Sequence, residues 1–208
     1  LGYLKEANNG KGRGIVWFPS DEDVHPWLTS WGLITFQDAK DAGLMIDDKI
    51  MWDMQEWLIS QQNDDGSWEF PERGLYETTN EILKAKKVAT TAYIARSLIY
   101  SDYDNSSSFF SSAVDYIEQN IDDNWEDPYT LSLSALTMKM AGETGSKYQD
   151  VVQRIDELKK EKNGTYHWQS NTSMLQGGGN NLGYRRGGGS KAIETTGYAV
   201  MALKGEGY

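Results

Sequence analysis

Cysteine is absent from these 208 residues. That excludes disulfides, thiolate metal sites and a cysteine nucleophile within the chain. Histidine is nearly absent, with only His25 and His167. Two isolated histidines without cysteine do not make a metal site, so each reads as a surface or packing residue. Positive charge is short as well. Twenty Lys and Arg stand against 31 Asp and Glu, a net charge of −11. Phosphate binding needs a concentrated basic face, so nucleic acid and anionic membrane surfaces are poor partners. No apolar run approaches the roughly 20 residues that cross a bilayer, and no membrane insertion is expected. The chain opens on Leu1 rather than Met. It reads as a piece excised from a longer protein, with no signal peptide of its own.

Aromatic residues are plentiful instead. Eight Trp and twelve Tyr imply thick ring packing between helices. The length suffices for one substantial core, and residues 1–208 read as a single domain.

The most informative stretch runs from Trp57 to Trp68. Ile46, Ile50 and Met54 share one helix face, which Trp57 and Leu58 continue. The helix then meets Gln61-Gln62-Asn63-Asp64-Asp65-Gly66. Asp65-Gly66 can supply a left-handed turn at the helix end, and Gln62 can bond the carbonyls left over there. Trp68 is expected to pack back on the apolar stripe, with Gly66 at positive φ. Trp57, Gln62, Asp65, Gly66 and Trp68 thus form a corner for a helical hairpin.

A repeat organises the rest. The triplet Thr–small–aromatic appears as Thr29-Ser30-Trp31, Thr91-Ala92-Tyr93 and Thr196-Gly197-Tyr198, and more loosely as Tyr129-Thr130-Leu131-Ser132. An apolar stripe follows each: Leu33, Phe36 and Ala39; Ile94, Ala95 and Leu98; Leu133, Leu136 and Met140; Val200, Met201 and Leu203. The small residue is expected to let helices approach and the aromatic to fill the space beside it. Between these lie amphipathic helices with charged outer faces, predicted over Asp48–Gln61, Ser108–Asn120 and Ser146–Lys160. Weaker corners are read at Asn124-Trp125 and at Asn163-Gly164-Thr165-Tyr166. Apolar inner helices alternating with charged outer ones predict an all-α fold, an incomplete alpha/alpha toroid of helical hairpins with almost no sheet. Ile15-Val16-Trp17-Phe18 reads as a short strand or buried tuck. Residues 171–190 are a Gly-rich excursion, expected as a hairpin or disorder.

The ordered set of motifs resembles the thioester-containing domain of the alpha-2-macroglobulin and complement family. Gly2-Tyr3, Trp27-Leu28-Thr29-Ser30-Trp31, Trp57-Leu58…Gln62-Asn63-Asp64-Asp65-Gly66, Tyr129-Thr130-Leu131 and Glu194-Thr195-Thr196-Gly197-Tyr198-Ala199 carry it, over nearly the whole chain. The corner is also similar to the glutamine–tryptophan repeat of terpenoid cyclases, which share the toroid fold. The macroglobulin resemblance implies a parent protein that traps proteases or tags surfaces by acyl transfer from a Cys–Gln thioester. The Cys-Gly-Glu-Gln motif is missing here, so the resemblance places it upstream of Leu1, and later helices of the toroid beyond Leu203. Some members carry a His after the corner that relays the acyl group to hydroxyls. The comparable segment here, Gly74-Leu75-Tyr76-Glu77-Thr78-Thr79, has none. That implies an amine-preferring thioester, with Tyr76 and Glu77 as candidates for lining its pocket. The implied partners are proteases or cell-surface targets and other domains of the parent, in an extracellular, periplasmic or cell-surface setting.

No catalysis is expected from the chain itself, and no cofactor or metal. Asp21-Glu22-Asp23 lacks the ligand frame of a calcium loop. Asp47-Asp48 and Asp122-Asp123 read as helix-start and turn residues. Asp48 is followed by Lys49-Ile50-Met51, so the Asp-x-Asp-Asp or Asp-Asp-x-x-Asp acid of a cyclase is missing. Gly189-Ser190-Lys191 lacks the order of a phosphate loop. Two alternatives stay open: a terpenoid-cyclase-like enzyme whose acid lies elsewhere, which needs a buried acid facing an apolar cavity, and a non-covalent binding module that uses an exposed aromatic patch.

Overall fold

A computed structural model describes residues 3–7, 12–20, 22–69, 80–103, 108–170 and 188–207. Seven helices carry the fold among them: α1 (Pro26–Asp41), α2 (Asp48–Ile59), α3 (Asn80–Tyr100), α4 (Ser108–Asn120), α5 (Pro128–Met140), α6 (Ser146–Glu157) and α7 (Gly188–Leu203). Sheet is confined to two antiparallel hairpins, β1 (Tyr3–Glu6) with β2 (Arg13–Val16), and β3 (Lys160–Lys162) with β4 (Thr165–His167). Tyr3 faces Val16 and Glu6 faces Arg13 in the first, Lys160 faces His167 in the second.

The inner helices α1, α3, α5 and α7 pack in succession, and α2, α4 and α6 lie against them outside. The division follows from sequence. On α5, Tyr129 through Ala135 are buried without a break, so this helix has no solvent face over two turns. Outer α6 buries only Tyr148, Val151, Val152 and Ile155, an i, i+3, i+4, i+7 stripe. Small side chains let α3 and α5 approach closely. Thr137 Oγ1 lies 2.8 Å from the carbonyl oxygen of Ala92 and 2.9 Å from that of Leu133.

Helix ends repeat too. Pro26 and Pro128 open α1 and α5, where a missing N–H costs nothing, and Asp127 accepts from the N–H of Thr130. Three inner helices close in one way. The N–H of Leu44 reaches the Ala39 carbonyl, Tyr103 reaches Leu98, and Glu143 reaches Met138, each around a left-handed residue. That residue is Gly43 (φ 84°) after α1 and Gly142 (φ 86°) after α5, but Asp102 (φ 59°) after α3.

Several boundaries differ from expectation. The outer helix from Ser146 stops at Glu157, and Lys160 starts β3. Asn163 and Gly164, both at positive φ, turn the strand pair there. Helix α2 ends at Ile59, and the backbone N–H groups of Gln61 and Gln62 turn back three residues to the Leu58 and Ile59 carbonyls. Helix α7 takes in Gly188–Ser190, residues expected in the Gly-rich excursion; the rest of that excursion, residues 171–187, lies outside the described residues. The stripe on α7 is shifted: Val200 and Met201 are exposed, while Ala199, Ala202 and Leu203 are buried.

Candidate functional site

The corner after α2 is built around Trp68, which is 1% exposed. Its indole Nε1 donates to the carbonyl of Leu58 at 2.7 Å, and its backbone N–H donates to Thr91 Oγ1 at 3.1 Å. One residue therefore ties the end of an outer helix to an inner one. Trp57, also buried, backs the same core.

Gly66 adopts φ 86°, as its place in the corner predicts. The left-handed turn does not end the helix, however. It closes a separate loop in which Gly66 N–H bonds Asn63 O and Asn63 N–H bonds Ser67 O, at 2.9 and 2.8 Å. Gln62 also departs from its expected role. Its Nε2 donates to Gly66 O and Phe109 O, both at 2.9 Å, and so joins the loop to α4 rather than capping α2. The side-chain capping is shared by the Trp68 ring, on Leu58 O, and the Ser60 hydroxyl, which donates to Trp57 O at 2.7 Å.

Asp65 orders the loop. Its Oδ1 accepts from the Ser67 backbone N–H at 3.0 Å and from the Ser67 hydroxyl, and Lys87 lies 3.4 Å from Oδ2. Burial disfavours the carboxylate, but Ser67 and Lys87 outweigh it and hold the carboxyl below its ordinary range. Burial likewise acts against the charge on Lys87, which Glu69 at 2.8 Å and Asp65 overcome, leaving its ammonium more basic than usual.

A second copy of this corner follows α6. Trp168 Nε1 donates to Ile155 O at 2.6 Å, and Trp168 N–H donates to Thr196 Oγ1 at 3.1 Å. Thr29 plays the same part at the first hairpin, accepting from Ile15 N–H at 2.9 Å. Three threonines of the repeat thus hold the strand or corner that precedes them. The fourth, Thr130, instead bonds its own N-cap, Asp127, through Oγ1 at 2.6 Å.

The copy was legible at Asn163–Tyr166, but the aromatic is Trp168; Tyr166 is 58% exposed on β4. No such ring tie forms at Asn124-Trp125, where the Trp125 carbonyl accepts from Arg154 Nε at 3.1 Å. The triplets fill their roles unevenly. Ser30 and Ala92 are buried as expected, whereas Gly197 is exposed and a Cβ there would meet nothing within 4 Å. Trp31 is exposed, and Trp27 takes its place in the core. Close approach on α1 belongs to Gly32, where a Cβ would stand 2.2 Å from Ile15 Cδ1.

Along the inner helices runs a row of rings and charges. Trp17 stacks on Trp27, and Trp27 on Tyr93, with centroids 6.0 and 6.2 Å apart; His25 lies edge-on to both tryptophans. Tyr129 and Tyr198 meet edge to face at 5.6 Å. Tyr129 donates to Glu194 Oε1 at 2.8 Å, and the Arg96 guanidinium lies 6.0 Å from the Tyr198 ring. Burial, reinforced by Tyr198 and Glu194, pushes the Tyr93 hydroxyl far above its ordinary range. Trp27 Nε1 and Arg96 Nε are buried donors without an acceptor among the described residues. Arg96 escaped the sequence reading, since nothing in an apolar stripe marks one charged position as inward. Only the spacing of Arg96 from Ala92 and Tyr93, one helical turn away, could have placed it.

Tyr76 and Glu77 lie outside the described residues. Among the described residues, no three His, Asp or Glu gather where a metal ion could sit. No helix among them is long and apolar enough to cross a membrane.

The comparison with curated proteins gave no match. The family model of the A-macroglobulin TED domain, in contrast, matches residues 2–206. The match spans the corners, the threonine repeat and the alternation of inner and outer helices together. On that coverage, the chain belongs to the A-macroglobulin TED domain family.

Proposed function

We propose that this chain is the scaffold of a thioester domain in an alpha-2-macroglobulin-like parent that captures proteases or tags surfaces. The observation that carries the reading is the family match over residues 2–206. In this reading the acyl donor lies upstream of Leu1. A nucleophile attacks the thioester carbonyl, an amide or ester bond forms, and the carbon–sulfur bond breaks to leave a thiolate that takes up a proton. The chain supplies no acyl group, because a thioester needs a sulfur that the sequence lacks. It supplies shape: inner helices fixed by the Trp68 and Trp168 ties, against which an upstream segment can dock. Such a protein works outside the cytoplasm, where proteases and foreign surfaces are met.

The segment Gly74–Thr79 contains no histidine, which supports transfer to amines over hydroxyls, with Tyr76 and Glu77 beside the acyl group. Intact-mass spectrometry of the purified parent after methylamine treatment tests the proposal. One methylamine should add at a glutamine upstream of this chain, and glycerol should compete poorly. No adduct on the parent would overturn the thioester reading. Efficient esterification of glycerol would overturn the amine preference alone.

A further inference from the structure

A cleft of about 780 Å³ opens where the C-terminal ends of α1 and α3 meet the first turns of α2. Its size falls within the roughly 300–1,000 Å³ of small-ligand sites. Three features of its lining point to one class of ligand.

The first is an aromatic wall. Trp52 is 54% exposed, unusual for so large a ring, and stacks on Tyr103 with centroids 5.9 Å apart and planes at 23°. Tyr103 is itself anchored: its hydroxyl donates to Glu56 Oε1 at 2.8 Å, and Phe109 meets it edge-on at 5.4 Å. Trp52 is therefore a flat apolar surface held in place before any ligand arrives.

The second is charge. Lys40 and Lys49 line the cleft together with Asp48 and Asp102. Lys40 Nζ meets Asp48 Oδ1 at 2.8 Å, and Lys49 meets Asp53 Oδ1 at 2.9 Å. Both lysines are paired with a carboxylate, so the lining has no spare cation to draw an anion. It offers donors and acceptors side by side, which suits a neutral ligand rich in hydroxyls.

The third is strain. The left-handed residue that closes α1 and α5 is glycine, but on α3 it is Asp102, at φ 59°. Aspartate reaches that conformation at more cost than glycine, and the two glycines show what the fold alone prefers. The departure falls at the one of these three turns whose left-handed residue lines the cleft.

We propose that this cleft binds a neutral saccharide, one C–H face of the sugar ring stacking on Trp52 and its hydroxyls meeting Asp102 and the Lys40–Asp48 pair. Saturation-transfer NMR on the 208-residue chain with glucose, galactose, mannose and N-acetylglucosamine tests it. At least one sugar should take up saturation, strongest on the protons of one ring face. Trp52→Ala should weaken that binding roughly tenfold, the scale of one lost aromatic contact. Trp31→Ala, at another exposed tryptophan, should leave it unchanged. Asp102→Gly should raise the thermal unfolding midpoint and lower affinity several-fold, a pairing that a purely structural role cannot give. Transfer to none of the four sugars would overturn the proposal. So would unchanged binding by Trp52→Ala or Asp102→Gly, or equal loss in Trp31→Ala.

Discussion

The indole N–H of Trp68 donates to the main-chain carbonyl of Leu58 at 2.7 Å. The ring thus caps the last turn of α2 while filling the core beside it. Trp68→Phe keeps most of the apolar area but loses the donor and leaves a small void. It should cost about 1–3 kcal/mol in urea denaturation. Trp168→Phe should cost a similar amount through the Ile155 carbonyl. A near-zero loss at both sites would show that these bonds contribute nothing net.

Gly66 and Gly164 share a positive φ but not an environment. A Cβ on Gly66 would stand 2.1 Å from the Ser112 carbonyl oxygen, whereas one on Gly164 would meet nothing within 4 Å. Gly164→Ala should therefore cost roughly 1 kcal/mol, from backbone conformation alone. Gly66→Ala adds the displacement of α4 and should cost about 2–4 kcal/mol. Equal losses measured by chemical denaturation would contradict the contact with α4.

Thr91 is fully buried, and its hydroxyl accepts the Trp68 N–H. Thr91→Val is nearly isosteric and strands that N–H in the core. A loss of about 1–3 kcal/mol is expected, with most of it restored in Thr91→Ser. Valine and serine variants of equal stability would remove the hydroxyl from the account.

Asp65 has a carboxyl held below its ordinary value, by Ser67 and Lys87 against the pull of burial. The folded state therefore binds its proton less readily than the unfolded chain. Its contribution is present in full above the unfolded value of about 3.9 and is lost as pH falls through the depressed folded value. Asp65→Asn should lower the thermal midpoint at neutral pH and converge with wild type as the pH falls below the depressed folded value. A gap between the two proteins that stays constant with pH would refute the linkage.

The helices were legible because burial writes a period. Val151, Val152 and Ile155 on α6 repeat the amphipathic spacing, and α4 runs over Ser108–Asn120 as predicted. Gly66 was legible because only one residue type adopts its backbone cheaply. Hydrogen-bond partners were not. Gln62 and Trp68 can both reach a helix-end carbonyl, and the choice between them depends on where α4 lies, which no local pattern encodes. The exposed Trp31 and buried Trp27 show the same limit on α1. Both flank Thr29 at two positions, and only the neighbouring Trp17 and Tyr93 decide which ring is enclosed.

The tryptophan tie has a consequence for how such domains diverge. Trp68 and Trp168 address a main-chain oxygen, which every residue carries, so Leu58 and Ile155 serve equally. The connecting segments also differ in length: ten positions separate Leu58 from Trp68, thirteen separate Ile155 from Trp168, and the longer one accommodates a β-hairpin. The tie itself fixes only the tryptophan and its threonine; in the first corner the backbone of Gly66 and its contact with α4 fix the glycine as well. The remaining positions of the corner can therefore change in number and kind while the helices stay in place.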